Sequence, residues 1–528
     1  MSGAPPVVVP DVGFDGTQFF WLLLVASAVA MAARRYRIPY ALGLVVVGLA
    51  IGLPRLMPKA HLDPHVLFTL FLPPLLFEAS LNLRTEALGA AWRPIAAFAL
   101  LGTLLATLVG GGLLSLAVGL PLAVALVFGA LIAPTDPISV MAVLKRLGID
   151  HRLGLVVEAE SLFNDGVAVV LFTVLLALAG GASLGLVDGV ARFGLVVLGG
   201  AGLGLLVGAL ASWVTKAFDD HLLEVTLTTL VAYGAYMAAE AAHVSGVVAV
   251  VAAGLVVGNW GMRVGMSPTT RLAVHTFWEY AAFVVNSMVF LLVGIEAAIV
   301  AWWTKLPLVL AAVAAVLVGR AVAVYGTAAL LGLARSPVPL TWQHLLVWGG
   351  LRGALSMALA LGLPAGMPFR DELVAMTFGV VLFSLLGQGL TVGRLAARLG
   401  LAGGPVHDAA YRTLGARRLA WQAAGVEVSR QAARGALPKA VAAEVVAAFD
   451  RRAAEAEAAI AALHLSDDAL REAHEAKARA IGLAGARHAL KEATLAGVLD
   501  DEAADALLAE IDADLAAGGS PRPEAQGA

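Results

Sequence analysis

Two acids and two neutral polar side chains occur together within one apolar run, residues 153–179, which is long enough to cross a bilayer. A carboxylate at mid-membrane depth costs roughly 2.5–3.5 kcal/mol on insertion scales, so such acids are retained for a function. On a helix, Ser161 and Asp165 share one face, whereas Glu160 and Asn164 share the neighbouring face. The first pair offers oxygen ligands to a small hard cation, and Glu160 is free to bind a basic side chain.

Other polar residues interrupt two further apolar runs. Thr135 and Asp136 lie between Pro134 and Pro137, where a helix must unwind because proline lacks the backbone donor. Unwound carbonyls and half-helix dipoles can hold a cation, so Asp136 is a candidate ligand as well as a helix cap. Thr135 offers its backbone carbonyl or its hydroxyl. Glu78 follows a double proline, and it either belongs to the cation site or forms a structural pair.

Two arginines lie deep in the later apolar runs, and each is expected to need an acidic partner. We expect Glu160 to pair with Arg320, and Arg352 to support the place where broken helices cross. Both arginines would fix the geometry of the site without contacting the ion. Glu158 lies one helical repeat before Asp165 and either lines an entry route or pairs with a basic residue of a loop.

The composition predicts an all-α, polytopic membrane protein. The chain has 528 residues, of which 60% are hydrophobic and only 14% are charged, and its mean hydropathy is +0.86. It has no cysteine, which excludes disulfides and thiolate metal sites. No phosphate-binding loop, zinc-helix motif or nucleophile elbow is present, so the sequence predicts neither an ATP-driven pump nor an enzyme. No cofactor and no nucleic-acid partner are expected.

Hydropathy predicts thirteen membrane spans. They cover residues 18–33, 40–57, 65–82, 94–118, 121–144, 153–179, 187–215, 222–242, 244–259, 273–301, 306–333, 341–364 and 371–399.

The fifth and twelfth spans are predicted to be broken. The fifth carries Pro134 and Pro137, and the twelfth carries the glycine-rich stretch 349–353 around Arg352. The twelfth span comes seven spans after the fifth. Because successive spans alternate in direction, two spans separated by an odd number run in opposite directions across the membrane. Breaks at matching places in two oppositely oriented halves indicate an inverted-repeat transporter with its site near the midplane.

The basic residues of the short loops predict that the N-terminus lies outside and the C-terminus in the cytoplasm, in the inner membrane of a bacterial cell. Residues 1–17 form an external segment, and residues 18–400 form the transmembrane domain. Residues 401–517 are rich in Ala, Glu, Arg and Leu at helical spacing, which predicts a cytosolic helical tail that regulates the transmembrane part. Residues 518–528 are predicted to be disordered.

With these residues in place, the chain resembles the monovalent cation–proton antiporter family, the sodium/hydrogen exchangers, in its bacterial form. The resemblance covers the whole membrane part. Its motifs are Leu72-Pro73-Pro74-Leu75-Leu76-Phe77-Glu78, Thr135-Asp136-Pro137, Glu160-Ser161-Leu162-Phe163-Asn164-Asp165-Gly166, His243-Val244-Ser245-Gly246 with residues 254–259, and Gly349-Gly350-Leu351-Arg352-Gly353-Ala354.

The resemblance implies a thirteen-helix antiporter, working as a homodimer, with a dimerisation domain and a moving core domain that holds the ion. It implies that Asp165 binds the cation or the proton, that Thr135, Ser161 and Glu78 help to ligate it, and that Asp136 lies close by. It also implies that Glu160 pairs with Arg320. Family members with asparagine at the position of Asn164 are generally electroneutral. Phe163, where leucine is frequent, is a mild departure.

The leading hypothesis is therefore secondary active exchange of Na⁺ for H⁺ by alternating access in pH and sodium homeostasis, with the transported ions and the lipid bilayer as the partners. Exchange of K⁺ for H⁺ by the same machinery is the nearest alternative, because selectivity depends on cavity size and ligand number. A gated cation channel also fits broken helices, but one asymmetric set of acids fits alternating access better. A solute symporter would need specific donors for an organic substrate, and the sequence indicates none.

Overall fold

The structure is a computed structural model that describes residues 16–36, 40–53, 66–181, 186–215, 220–300, 302–401 and 406–466, with five isolated positions beyond them. Among these residues, all regular secondary structure is helical. Outside the described residues lie most of the predicted external segment, the predicted disordered end and most of the tail beyond residue 466. The same holds for Arg37, Arg55, Lys59 and Lys216, which are among the basic loop residues that predict the orientation of the chain. The chain divides into two compact units, Met1–Ala402 and Gly403–Ala528.

The first unit contains fifteen principal helices among its described residues. They are α1 Gly16–Tyr36, α2 Tyr40–Gly52, α3 Leu67–Asn82, α4 Trp92–Val118, α5 Leu122–Leu131, α6 Pro137–Arg146, α7 His151–Ala179, α8 Leu186–Val214, α9 His221–Ala241, α10 Gly246–Val264, α11 Pro268–Ile299, α12 Leu306–Leu333, α13 Leu340–Trp348, α14 Ala354–Leu361 and α15 Arg370–Arg398.

Each predicted span coincides with a helical stretch of the described chain, and the fifth and twelfth are each divided in two. Within the described ranges, eight helices are long and apolar enough to cross a membrane, and four shorter apolar helices accompany them. The shorter set includes α5, since the break that follows Leu131 cuts its span short. The all-α, polytopic architecture predicted from composition is confirmed.

The packing of the helices repeats between two halves of the unit. Several helix contacts made by α1–α7 recur when each helix is replaced by its counterpart in α9–α15. Thus α2 packs on α11 as α3 packs on α10, and α1 packs on α2 as α9 packs on α10. The helices α4 and α12, which are equivalents under this exchange, pack on each other. This arrangement agrees with the predicted internal repeat, in which α8 has no counterpart.

Glycines allow several helix pairs to approach backbone to backbone. A Cβ atom at Gly319 of α12 would lie 3.0 Å from the backbone nitrogen of Gly110 in α4. Likewise, a Cβ atom at Gly294 of α11 would lie 2.9 Å from the Cα atom of Gly48 in α2. Because lipid supplies no hydrophobic drive between helices, such close contacts between small residues provide much of the packing attraction.

In the second unit, two helices, α16 Val406–Ala433 and α17 Lys439–Ser466, pack against each other. The turn between them contains Pro438, which cannot continue a helix. Trp421 stacks on Phe449 with ring centroids 5.6 Å apart, and the guanidinium of Arg452 lies 4.8 Å from the Trp421 ring centre. Arg418 also forms an ion pair with Glu457. These contacts join the two helices to each other.

Candidate functional site

The two helix breaks meet at one point of the first unit. The chain unwinds between α5 and α6 because of the prolines, and between α13 and α14 because of the glycines. The backbone N–H of Asp136 donates a hydrogen bond of 2.7 Å to the carbonyl oxygen of Leu351. A side chain at Gly353 would not fit, since its Cβ would lie 2.8 Å from the Cβ of Asp136. The two unwound segments therefore cross in direct backbone contact.

The free helix ends at this crossing are satisfied by charged side chains. Arg352 Nη1 donates to the carbonyl oxygens of Ala133 (2.6 Å) and Pro134 (3.2 Å), which follow the C-terminus of α5. Asp136 Oδ1 accepts from the N–H of Ile138 (3.0 Å) and caps the N-terminus of α6. Each charge opposes the helix dipole end that it faces. Asp136 therefore has the geometry of a helix cap, which is one of the two roles that the sequence suggested for it. Arg352 lies at the crossing.

Arg352 differs from the expectation in one respect. We expected an acidic partner, but within the described residues the Arg352 guanidinium donates its hydrogen bonds to backbone carbonyls. Its backbone N–H donates to Ser384 Oγ at 3.0 Å, which fixes the second break to α15. The electrostatic fields of Arg320, Glu160 and Asp165 also act on Arg352. The carbonyls replace an acid because the C-terminal end of the interrupted helix already carries partial negative charge.

Helix α7 is joined to the first break by a chain of hydroxyl and amide contacts. The Oγ1 atom of Thr135 lies 2.8 Å from Ser161 Oγ, and Ser161 Oγ also donates to the backbone carbonyl of Thr135. Asn164 Nδ2 donates to Thr135 Oγ1 at 2.9 Å. Thr135, Ser161 and Asn164 are all buried. The structure thus brings three of the predicted site residues into direct contact.

Asp165 completes this group with unused acceptor capacity. Its Oδ1 atom is shielded from solvent and has no hydrogen-bond partner among the described residues, and the same holds for Asn164 Oδ1. The backbone amide of Thr135 interacts with the Asp165 carboxylate, and Asp136, Glu160 and Arg352 are the charged groups that act on it. Buried oxygens normally have a partner, so two open acceptors on successive residues indicate a place for a bound cation or proton.

A small cavity lies beside this group. Its volume is about 10 Å³, and Thr135, Asp136, Glu160, Ser161 and Arg320 are among its lining residues. A space of roughly 10–15 Å³ on this measure holds one water molecule. The cavity is therefore of the size of a single water or a dehydrated monovalent ion.

Glu160 and Arg320 form a buried pair next to the cavity. Arg320 Nη1 donates to Glu160 Oε1 at 2.8 Å, and Nη2 donates to Oε2 at 3.3 Å. Arg320 also donates from Nε and Nη2 to the carbonyl oxygen of Leu346, at 3.3 and 3.2 Å. Gly350 leaves room for the guanidinium, because a Cβ there would lie 2.8 Å from Arg320 Nε. Both carboxylate oxygens of Glu160 are thereby occupied by the guanidinium of Arg320.

Glu78 is not brought into the Asp165 group. Its Oε1 atom accepts from Asn82 Nδ2 at 2.7 Å, one turn along α3. The charged groups that act on it are Glu158, Lys145 and Glu279. The reason is the position of α3, which packs on α10 and α11. The electrostatic fields of both Asp136 and Glu78 act on the hydroxyl of Tyr40.

Several groups at the site carry no sequence signal or only a weak one. The carbonyls of Leu346 and Leu351 act through the backbone, so their residue type conveys nothing. Ser384 is a lone hydroxyl in a long apolar run and could have been singled out on that ground. Among the described residues, no group of three or more His, Cys, Asp or Glu side chains is placed to hold a metal ion. The ligand atoms available at the crossing are the oxygens of one carboxylate together with hydroxyl, amide and carbonyl oxygens. Such a set suits an ion that is bound and released.

The connector between α3 and α4 is held by a surface ion pair. Arg263 donates two hydrogen bonds to the Glu86 carboxylate, at 2.5 and 3.1 Å, and this contact lowers the pKa of Glu86 to about 2. Asn259 Oδ1 accepts from the backbone N–H of Thr85 at 2.9 Å. The end of α10 therefore fixes this connector, which explains part of the predicted motif at residues 254–259.

Comparison with known proteins agrees with this geometry. The family described as "Sodium/hydrogen exchanger, transmembrane" matches residues 22–398. The chain is 40% identical over 420 residues to the low-affinity Na⁺/H⁺ antiporter NhaS1 of a Synechocystis species, covering 78% of this chain and 80% of that protein. It is also 40% identical over 399 residues to the Na⁺/H⁺ antiporter NhaG of Bacillus atrophaeus, covering 72% of this chain and 74% of that protein.

A solved structure shares the fold. The sodium proton antiporter MjNhaP1 from Methanocaldococcus jannaschii, at pH 8, superimposes with a TM-score of 0.62 at 21% sequence identity. The match covers 73% of this chain and 98% of that one. The resemblance inferred from the sequence motifs is thus confirmed over the membrane part. This chain belongs to the sodium/hydrogen exchanger family.

Proposed function

We propose that this protein exchanges Na⁺ for H⁺ across the inner membrane of a bacterial cell by alternating access, with Asp165 as the shared binding site. The observation that carries the proposal is the unpartnered, buried Oδ1 atom of Asp165 beside the crossing of the broken helices. A carboxylate in that position is costly when bare, and a proton or a monovalent cation removes the cost. Binding one therefore excludes the other, which is the requirement for exchange.

The ligands of the ion are oxygen atoms of α7 and of the break between α5 and α6. Asp165 supplies the charge, and Ser161 and Thr135 supply hydroxyl or carbonyl oxygen at the neighbouring turn. Asn164 donates from Nδ2 to Thr135, and its Oδ1 atom keeps its capacity to accept a hydrogen bond or bind an ion. Asp136 caps α6 and contributes its field. Glu78 belongs to the approach to this site together with Glu158 and Glu279, and it meets the ion before Asp165 does.

The exchange is electroneutral, with one Na⁺ for one H⁺. Asn164 does not titrate, and Glu160 is held by Arg320, so α7 offers Asp165 as its one exchangeable carboxylate. If Asp136 keeps a fixed charge, the loaded site has the same charge in both directions. The membrane potential then does no net work on the cycle.

The cellular arrangement follows the loop charges and the composition. The N-terminus lies outside and the C-terminus inside, the protein acts as a homodimer, and the tail regulates exchange without lining the ion path. No cofactor takes part, and the exchange serves pH and sodium homeostasis.

Ion-dependent proton flux in proteoliposomes tests the proposal, with Na⁺, Li⁺ and K⁺ compared on one preparation. We expect Na⁺ to drive proton flux, since relatives at 40% identity are named Na⁺/H⁺ antiporters. A flux driven by K⁺ in preference to Na⁺ would assign the alternative exchange to the same site. Ion flux without coupled proton movement would indicate a channel and refute the exchange mechanism.

A further inference from the structure

An apolar cavity lies next to the helix that carries the candidate site. Its volume is about 230 Å³, and it is bounded by α7, α8 and α10. All ten of the described residues that line it are apolar. Water would find no hydrogen-bond partner on these walls, whereas engineered apolar cavities of about 150 Å³ bind benzene-sized hydrocarbon.

The cavity lies between α7 and a tightly packed pair of helices. Helices α8 and α10 touch along glycines: a Cβ at Gly200 would lie 2.6 Å from the carbonyl oxygen of Ser245. On the other side, α7 approaches α10 at Gly166, where a Cβ would lie 2.9 Å from a methyl of Val248. Phe163 and Gly166 line the cavity and flank Asn164 and Asp165 in sequence. The site helix α7 therefore forms one wall of the empty space, at the place where Gly166 approaches Val248.

The cavity opens at the exposed, leucine-rich surface of α8. Leu205 lines it and is 51% exposed, whereas Val251, deeper on α10, is 4% exposed. Leu198 and Leu206 of α8 are also exposed, at 73% and 56%. Because α8 is long and apolar enough to cross the membrane, this leucine-rich surface is suited to contact with bilayer hydrocarbon. The nearest apolar molecule able to enter past Leu205 is a lipid acyl chain.

We propose that this cavity binds one acyl chain of a membrane lipid, which enters past Leu205 and lies against Phe163, Val251 and Ala252. An occupied cavity restores the dispersion contacts that its walls lack when it is empty. The site is a binding site for bilayer hydrocarbon, separate from the ion site, and it stands whichever cation is exchanged.

Photo-crosslinking tests this proposal on the full chain. The protein is reconstituted in vesicles that contain phosphatidylcholine with a diazirine on one acyl chain, and the labelled residues are mapped by mass spectrometry. We expect adducts on the buried lining residues Val251 and Ala252 as well as on exposed Leu198. Leu198 serves as the internal reference, because free lipid reaches it directly.

Two variants fill the cavity from different helices. Ala201→Phe and Ala252→Leu should each reduce the adducts in the α10 lining several-fold relative to those on Leu198. Leu206→Phe, on the exposed face of the same helix as Ala201, should leave the ratio unchanged. Gel filtration identifies a variant that fails to fold. If one filling variant fails, the adducts on the parent protein and on the other filling variant decide whether lipid occupies the cavity.

Two results would overturn the proposal. One is strong labelling of Leu198 in the parent without adducts on Val251 or Ala252, which would show that lipid does not enter. The other is labelling of the α10 lining that persists in both folded filling variants. Neither result depends on ion exchange, so failure of the lipid site and failure of the proposed transport are separate findings.

Discussion

The backbone N–H of Asp136 and the carbonyl of Leu351 form a 2.7 Å hydrogen bond between two helix breaks that are more than 200 positions apart in the chain. This contact holds the crossing against which α7 places Ser161 and Asp165.

Replacing Asp165 with asparagine should abolish exchange and leave a folded protein. Asparagine keeps the shape of the side chain but can neither bind a proton nor neutralise Na⁺. The measurement is Na⁺-driven proton flux in proteoliposomes, with gel filtration to show folding. Asp188→Asn, the same chemical change at an exposed position of α8, is the control and should transport like the parent. Appreciable exchange by a well-folded Asp165→Asn protein would contradict the assignment.

Neutralising one member of the Glu160–Arg320 pair should destabilise the protein. Removing one partner of a buried ion pair typically costs about 3–5 kcal/mol, because the other charge is left unpaired. Arg320→Ala and Glu160→Gln should both lower the melting temperature, and the swapped double variant should recover part of the loss. Glu86→Gln, at an exposed ion pair, is the matched control and should melt close to the parent. If Arg320→Ala melts like the parent, the pair does not support the fold.

The rate and end point of exchange should not follow the membrane potential. One Na⁺ replaces one H⁺ at Asp165, so no net charge crosses per cycle. Proteoliposomes clamped at several potentials with a potassium ionophore, with Na⁺ as the substrate, provide the test. A gradient that follows the imposed voltage would mean that a second proton moves, with Asp136 or Glu78 as the titrating group.

Truncation after Gly404 should preserve the preference for Na⁺ over K⁺ and shift the pH response or the assembly of the protein. The described tail helices are held by their own contacts, such as the stacking of Trp421 on Phe449. The measurements are ion competition and proton flux across a pH series on the truncated and full chains. A changed ion preference in the truncated protein would place the tail in the ion path.

Two glycines of α8 should respond differently to alanine. Gly200→Ala places a methyl 2.6 Å from the carbonyl oxygen of Ser245, so it should force α8 and α10 apart and lower thermal stability. Gly202→Ala meets no atom within 4 Å, so it should be neutral or stabilising, since alanine favours the helix. Equal melting temperatures of the two variants would show that the glycine contact does not fix this helix pair.

Some of the site could be predicted from particular residues. Asp165, Glu160 and Arg320 stood out because a charge inside an apolar run is costly and needs a reason. The two breaks were visible because proline and glycine act on the backbone that carries them. Glu78 could not be placed in the same way: its apolar flanks indicate burial, but they do not indicate which acids it faces. Arg352 likewise showed a need for a negative partner without showing that backbone carbonyls would meet it.

The sequence by itself determined the class of protein, the helical spans, the two helix breaks and the family, since each depends on local hydropathy, on a local motif or on a residue's effect on its own backbone. Tertiary structure decided which distant groups meet. It placed Leu351 on Asp136, Thr135 on Ser161, and Glu78 with Glu158 instead of Asp165. Such contacts depend on the relative rotation and depth of several packed helices, and those are set by many small contacts at once, so no single stretch of sequence encodes them.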